Sequence, residues 1–127
     1  MNQRSILLGA GLMGATGVAL GAFGAHALHE LLLQRGMLVA WETGVRYHLV
    51  HAVALLALAG WARDGSLTVA LKWAARLWIV GTVLFAGSLY GLALGGPRLL
   101  GPVTPLGGAA LIAGWVAVIL SVRQKKE

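Results

Sequence analysis

Residues 5–25 carry no charged side chain. Wound as an α-helix at about 1.5 Å per residue, a run of about 21 such residues is as long as the hydrocarbon core of a bilayer is thick, about 30 Å. No other feature restricts the fold as strongly. In lipid the backbone must satisfy its own hydrogen bonds, and only helices and closed barrels do so. The competing reading is a cleaved signal, with Arg4 ahead of it and Ala25-His26-Ala27 as the cleavage site. Signal cores run to roughly 7 to 15 apolar residues, so a retained helix is preferred.

Three further apolar stretches follow. Residues 47–62 are bounded by Arg46 and Arg63 and are short for a span, so their helix is expected to start before Glu42. A turn is expected at Arg63-Asp64-Gly65-Ser66, then an amphipathic lead-in with Lys72, Trp73 and Arg76, then a third span over residues 77–94. Gly95-Gly96-Pro97-Arg98 breaks that helix. Thr104 is a candidate N-cap for the fourth, with Pro105 in its first turn, where a missing N–H costs nothing. Between the first and second spans, leucines 28 and 31–33 alternate with His29, Glu30, Gln34 and Arg35, the composition of a short helix lying on the bilayer surface.

The expected fold is therefore an all-α membrane protein, one domain over residues 1–127, with four transmembrane helices near 5–27, 41–62, 74–95 and 104–122 in a compact bundle. Composition agrees with this. The chain is 58% hydrophobic and only 11% charged, against about 25% in soluble domains, and 127 residues cannot bury that much apolar surface without lipid.

Glycines at 14, 17, 21 and 24 fall on one stripe of the first helix, and 87, 91 and 95 on one stripe of the third. Such stripes let helix backbones approach closely in lipid. Packing within the chain is the first reading of them, and a homo-oligomer interface the second. Residues 21–28 and 87–94 match at three of eight positions, a weak hint of duplicated helix pairs.

With both termini on one side, Arg4, Arg63, Lys72, Arg76, Arg123, Lys125 and Lys126 share that side, against Arg35, Arg46 and Arg98 on the other. The positive-inside rule then places both termini in the cytoplasm. The net charge of +6 is read as topological and headgroup anchoring, not as nucleic-acid binding. The chain has no cysteine, which excludes disulfides, thiolate catalysis and thiolate-bound metal.

Polarity gathers in residues 41–51, Trp41-Glu42-Thr43-Gly44-Val45-Arg46-Tyr47-His48-Leu49-Val50-His51. Ionisable groups at the mouth of a membrane helix are a functional hypothesis by default. Glu42 and Arg46, four apart in the favourable order, are expected to form an ion pair. His26-x-x-His29 and His48-x-x-His51 could each face a metal, but too few further ligands surround them for a zinc site, and no metal or other cofactor is expected. No nucleophile, base and orienting acid stand at a recognisable spacing, so the enzyme reading is weak.

The segments Gly21-Ala-Phe-Gly-Ala-His26-Ala-Leu28, Thr43-Gly44 with Tyr47 and His51, Gly87-Ser88-Leu89-Tyr90 and Thr104-Pro105-x-Gly107-Gly108 together resemble the YgdD-like small inner-membrane proteins, the domain of unknown function 423 family. The resemblance covers essentially the whole chain. It implies a four-helix bacterial inner-membrane protein without an established activity. Thr43, Tyr47 and His51 match the family pattern, whereas Glu42, Arg46 and His48 depart from it.

Taken together, His26, Thr43, Tyr47, His51, Ser88, Tyr90 and Thr104 are expected to form one hydrogen-bonded cluster on the extracytoplasmic side. The lipid bilayer is the expected partner. Two functions compete: a structural or accessory membrane protein locked by this cluster, or a small transporter, channel or ligand-binding protein whose cluster lines a cavity.

Overall fold

Asn2 starts the first helix. Its side chain accepts from the Ser5 N–H at 2.9 Å while Ser5 Oγ accepts from the Asn2 N–H at 3.1 Å, a reciprocal cap that satisfies two donors the helix would otherwise leave open. In the computed structural model, which describes residues 1–62 and 67–124, α1 accordingly runs over Gln3–Ala25, two residues ahead of the expected start. A six-residue α2, His29–Gln34, follows and stops at Gly36, whose φ of 65° ends the turn.

The long helix α3 spans Leu38–Trp61, so it starts before Glu42 as expected and the polar block from Trp41 occupies its first turns. The expected turn at residues 63–66 and the basic residues Arg63, Lys125 and Lys126 lie outside the described residues. Thr68 caps α4 by accepting from the Leu71 N–H at 3.2 Å. The helix therefore covers Val69–Ala93 and absorbs the segment expected as a separate lead-in. Gly95, at φ 89°, terminates it. A 3₁₀ turn, Arg98–Leu100, leads to α5, Val103–Ser121. Pro102, not Thr104, is the N-cap there, and Pro105 sits at the third helical position, where its missing N–H still has no intrahelical partner to lose.

All described elements are helical. Three stretches are long and apolar enough to cross a membrane by length and composition: Gln3–Ala25, Val69–Ala93 and Arg98–Ser121. The α3 helix matches them in length, at 24 residues, but Arg46, Tyr47, His48 and His51 lower its hydropathy below theirs.

The helices pack serially. Extensive interfaces join α1 to α3, α3 to α4 and α4 to α5, and none of that size joins α1 to α5. Gly17, Gly21 and Gly24 face α3: a Cβ on Gly17 would stand 2.7 Å from Leu49 Cδ2, one on Gly21 3.2 Å from Val45 Cγ1, and one on Gly24 against the Trp41 indole. Gly14 and Gly87 meet nothing within 4 Å. Antiparallel order puts the start of α1, the end of α3, the start of α4 and the end of α5 at one end. Gln3 Nε2 donates to Ala59 O at 3.0 Å there, and the Ala70 N–H to Gln124 Oε1 at 3.0 Å. Core residues gather around Ile6, Leu55 and Trp78 toward that end and around Leu32, Trp41 and Ala93 toward the other.

Candidate functional site

The buried face of α3 carries Trp41, Gly44, His48, His51, Ala52 and Leu55. That stripe advances by three or four residues at a time, as a helix face must. His48 is 7% exposed and lies between α1 and α4. Its Nδ1 is 3.0 Å from Tyr90 Oη and its Nε2 3.1 Å from Thr16 Oγ1.

The proton positions follow from what each group can do. Thr16 Oγ1 lies 2.7 Å from Leu12 O, and a carbonyl only accepts, so the hydroxyl proton points there. The Thr16 oxygen must then accept from His48 Nε2–H, which in a neutral ring leaves Nδ1 as the acceptor for the Tyr90 O–H. In that state a directed chain runs from Tyr90 through His48 and Thr16 to Leu12 O.

Trp41 extends this site. Its Nε1–H donates to Leu20 O at 2.9 Å, and its ring lies 4.7 Å from that of Tyr90. Glycine admits both aromatics. A Cβ at Gly44 would stand 3.0 Å from Tyr90 Cε1, and one at Gly24 would collide with the Trp41 indole.

One turn further along α3, His51 is 3% exposed and forms a second site. Its Nδ1–H donates to Tyr47 O at 2.7 Å, and its Nε2 accepts from Trp115 Nε1–H at 3.0 Å. Indole nitrogen only donates and carbonyl oxygen only accepts, so this imidazole is neutral, with its proton on Nδ1. Trp78 and Trp115 pack with ring centroids 4.6 Å apart beside it. Trp78 Nε1 and Thr82 Oγ1 are buried without a hydrogen-bond partner among the described residues.

A third contact ties α4 to α5. Ser88 Oγ donates to Phe85 O at 2.9 Å and lies 2.6 Å from Thr104 Oγ1, so Thr104 is the donor to Ser88.

The residues singled out from sequence thus fall into separate places. Tyr90 belongs with His48, His51 with Trp115, and Ser88 with Thr104. Tyr47 is 43% exposed and packs its ring 4.9 Å from Phe85. Thr43 is half-buried and His26 is exposed at the C-cap of α1. Glu42 and Arg46 are both exposed, and no ion pair links them among the described residues. In that setting the pair would contribute under about 1 kcal/mol. His48, Thr16, Trp41 and Trp115 were not among the residues expected in the cluster. The signal for His48 was present: it follows the buried Gly44 by four residues and precedes the buried Ala52 by four. Thr16 had one as well, as the only hydroxyl between Ser5 and Ala25. Among the described residues no three His, Asp or Glu side chains converge as metal ligands would.

A cavity of about 570 Å³ lies between α3, α4 and α5 at the end holding the chain termini. Leu58, Leu71, Trp78, Trp115 and Val118 line its depth, and Thr68, Ser121 and Gln124 lie toward the helix ends.

A family model described as "Protein of unknown function (DUF423)" matches residues 20–108. The chain is 42% identical over 116 residues to the UPF0382 membrane protein SH2409 of Staphylococcus haemolyticus, covering 91% of this chain and 92% of that one. It is 39% identical over 129 residues to the UPF0382 inner membrane protein YgdD of Escherichia coli K12, covering 100% and 96%. Identity to the UPF0382 membrane protein YwdK of Bacillus subtilis is 40% over 116 residues, covering 91% and 93%. No solved structure matches.

Proposed function

The chain belongs to the DUF423 family of proteins of unknown function, and from that membership we propose a four-span inner-membrane protein whose buried polar side chains lock its helices together in a structural or accessory role. One observation carries this reading: the chain Tyr90, His48, Thr16 ends on a backbone carbonyl. A proton relay needs a terminal group that takes up or releases a proton, and Leu12 O does neither. A satisfied, directed network rigidifies its surroundings.

The fourth span is α3. Its polar groups turn toward α1, α4 and Trp115, while Val50, Val53 and Leu56 are exposed where lipid would lie. On this reading α2 rests at the bilayer surface, with Leu32 inserted and Leu31 and Leu33 outward. Arg4, Lys72, Arg76 and Arg123 lie at the end that holds the termini, and Arg35, Arg46 and Arg98 at the other. That asymmetry favours cytoplasmic termini and puts Thr43, Ser88, Tyr90 and Thr104 toward the extracytoplasmic side. A reporter that works only in the cytoplasm, fused after Glu127, is expected to be active; activity of a periplasm-only reporter at the same place would invert the assignment.

The lock itself is tested with Tyr90→Phe, which removes the donor and keeps the ring. The variant is expected to melt at lower temperature in detergent, and vesicles holding the unsubstituted protein to pass no more protons than empty ones. Proton flux that Tyr90→Phe abolishes at an unchanged melting temperature would sink the reading. A second reading, a ligand-binding membrane protein, is favoured by the cavity of about 570 Å³ beside Trp115, which falls within the usual size of a ligand site, about 300 to 1,000 Å³.

A further inference from the structure

We infer that the cavity between α3 and α5 takes one acyl chain of an anionic phospholipid, with the headgroup held at the end where Gln124 and Arg123 stand. Serial packing creates the opening. Because α5 packs on α4, a slot remains between α3 and α5, floored by Leu71 and Trp78 and reaching the surface at Ala57 and Trp61. At membrane depth this slot is lined by hydrocarbon and indole, and a site without polar partners does not hold water. Close packing of the interior disfavours an empty space of that size.

The polarity along the slot selects the occupant. Its depth is apolar, and Thr68, Ser121 and Gln124 gather where the helices end. That is the order of an amphiphile, tail inward and head at the interface. Arg123, exposed, stands in sequence between the lining residues Val122 and Gln124. Basic residues between helices at the cytoplasmic face favour an anionic headgroup over a zwitterionic one.

The inference rests on the four-span reading with cytoplasmic termini, which the reporter fusion tests without reference to lipid. The full chain is placed in vesicles carrying either phosphatidylglycerol or phosphatidylcholine brominated in mid-chain, and tryptophan quenching is compared at equal mole fraction. Trp61, Trp78 and Trp115 line the slot and report its occupant. Brominated phosphatidylglycerol is expected to occupy the slot about fivefold more readily for each basic side chain engaged. Ala57→Phe, at an exposed position on the rim, should fill the slot and abolish the selective quenching. Arg123→Gln should remove the preference for the anionic lipid and leave quenching by both.

Should Ala57→Phe fail to fold, native mass spectrometry of the unsubstituted protein decides, with one retained phosphatidylglycerol expected. Equal quenching by the two lipids, or selective quenching that persists in folded Ala57→Phe, would overturn the inference. So would a lipid-free mass of two chains, which would make a second copy the occupant.

Discussion

His48→Ala is expected to lower the melting temperature of the detergent-solubilised protein by about 10 °C, through a loss of about 2 to 4 kcal/mol. A single hydrogen bond between transmembrane helices contributes only about 0.6 to 1.7 kcal/mol, because the separated helices find other partners in the membrane. The cost is larger here because one ring satisfies two groups on two different helices. Without it, Tyr90 Oη on α4 and Thr16 Oγ1 on α1 face each other across a void, with bonds of 3.0 and 3.1 Å lost together. A double-mutant cycle with Tyr90→Phe isolates the shared part: once Tyr90 has no hydroxyl, His48→Ala should cost measurably less. Additive effects would show that the two side chains do not act as a unit, and an unchanged melting curve in His48→Ala would remove the lock altogether.

Gly107→Ala is expected to have the other large effect, by a mechanism with no polar component. A Cβ there would lie 2.7 Å from Phe85 Cα and 2.8 Å from the Leu84 carbonyl carbon, with Phe85 N closer still. These atoms are backbone of α4 and cannot turn aside as a side chain can. The two helices must move apart, which also stretches the Ser88–Thr104 contact of 2.6 Å. Overpacking of this kind costs about 1 to 3 kcal/mol, and more where backbone is the obstacle. Gly87→Ala supplies the contrast. Nothing stands within 4 Å of its added methyl, and alanine is the better helix former by about 1 kcal/mol. It is expected to leave the melting temperature level or raise it. Equal loss in both variants would mean that helix backbone flexibility, and not close approach, is what these glycines provide.

The glycine comparison also shows how far the amino-acid sequence could be followed. Spacing puts Gly14 with Gly17, Gly21 and Gly24, and Gly87 with Gly91, on common stripes. Only the neighbouring helix distinguishes Gly24, packed on Trp41, from Gly14, which meets nothing. The same holds for the polar groups. A stripe through Thr43, Tyr47 and His51 is correct helical geometry, yet the face that α3 buries passes through Gly44 and His48. Tyr47 is left at its edge, 43% exposed.

The sequence by itself determined the elements of this protein. Long charge-free stretches, caps such as Asn2 with Ser5, and breaks at Gly36 and Gly95 act within a few residues of chain, and their physics is local. Tertiary structure alone decided which polar groups meet. Tyr90 and Thr16 are 74 positions apart and share one imidazole only because α3 lies between α1 and α4. Likewise, the slot between α3 and α5 exists because α5 packs on α4. Such pairings depend on the order in which helix faces are matched in space, and hydropathy along a chain carries no record of that order.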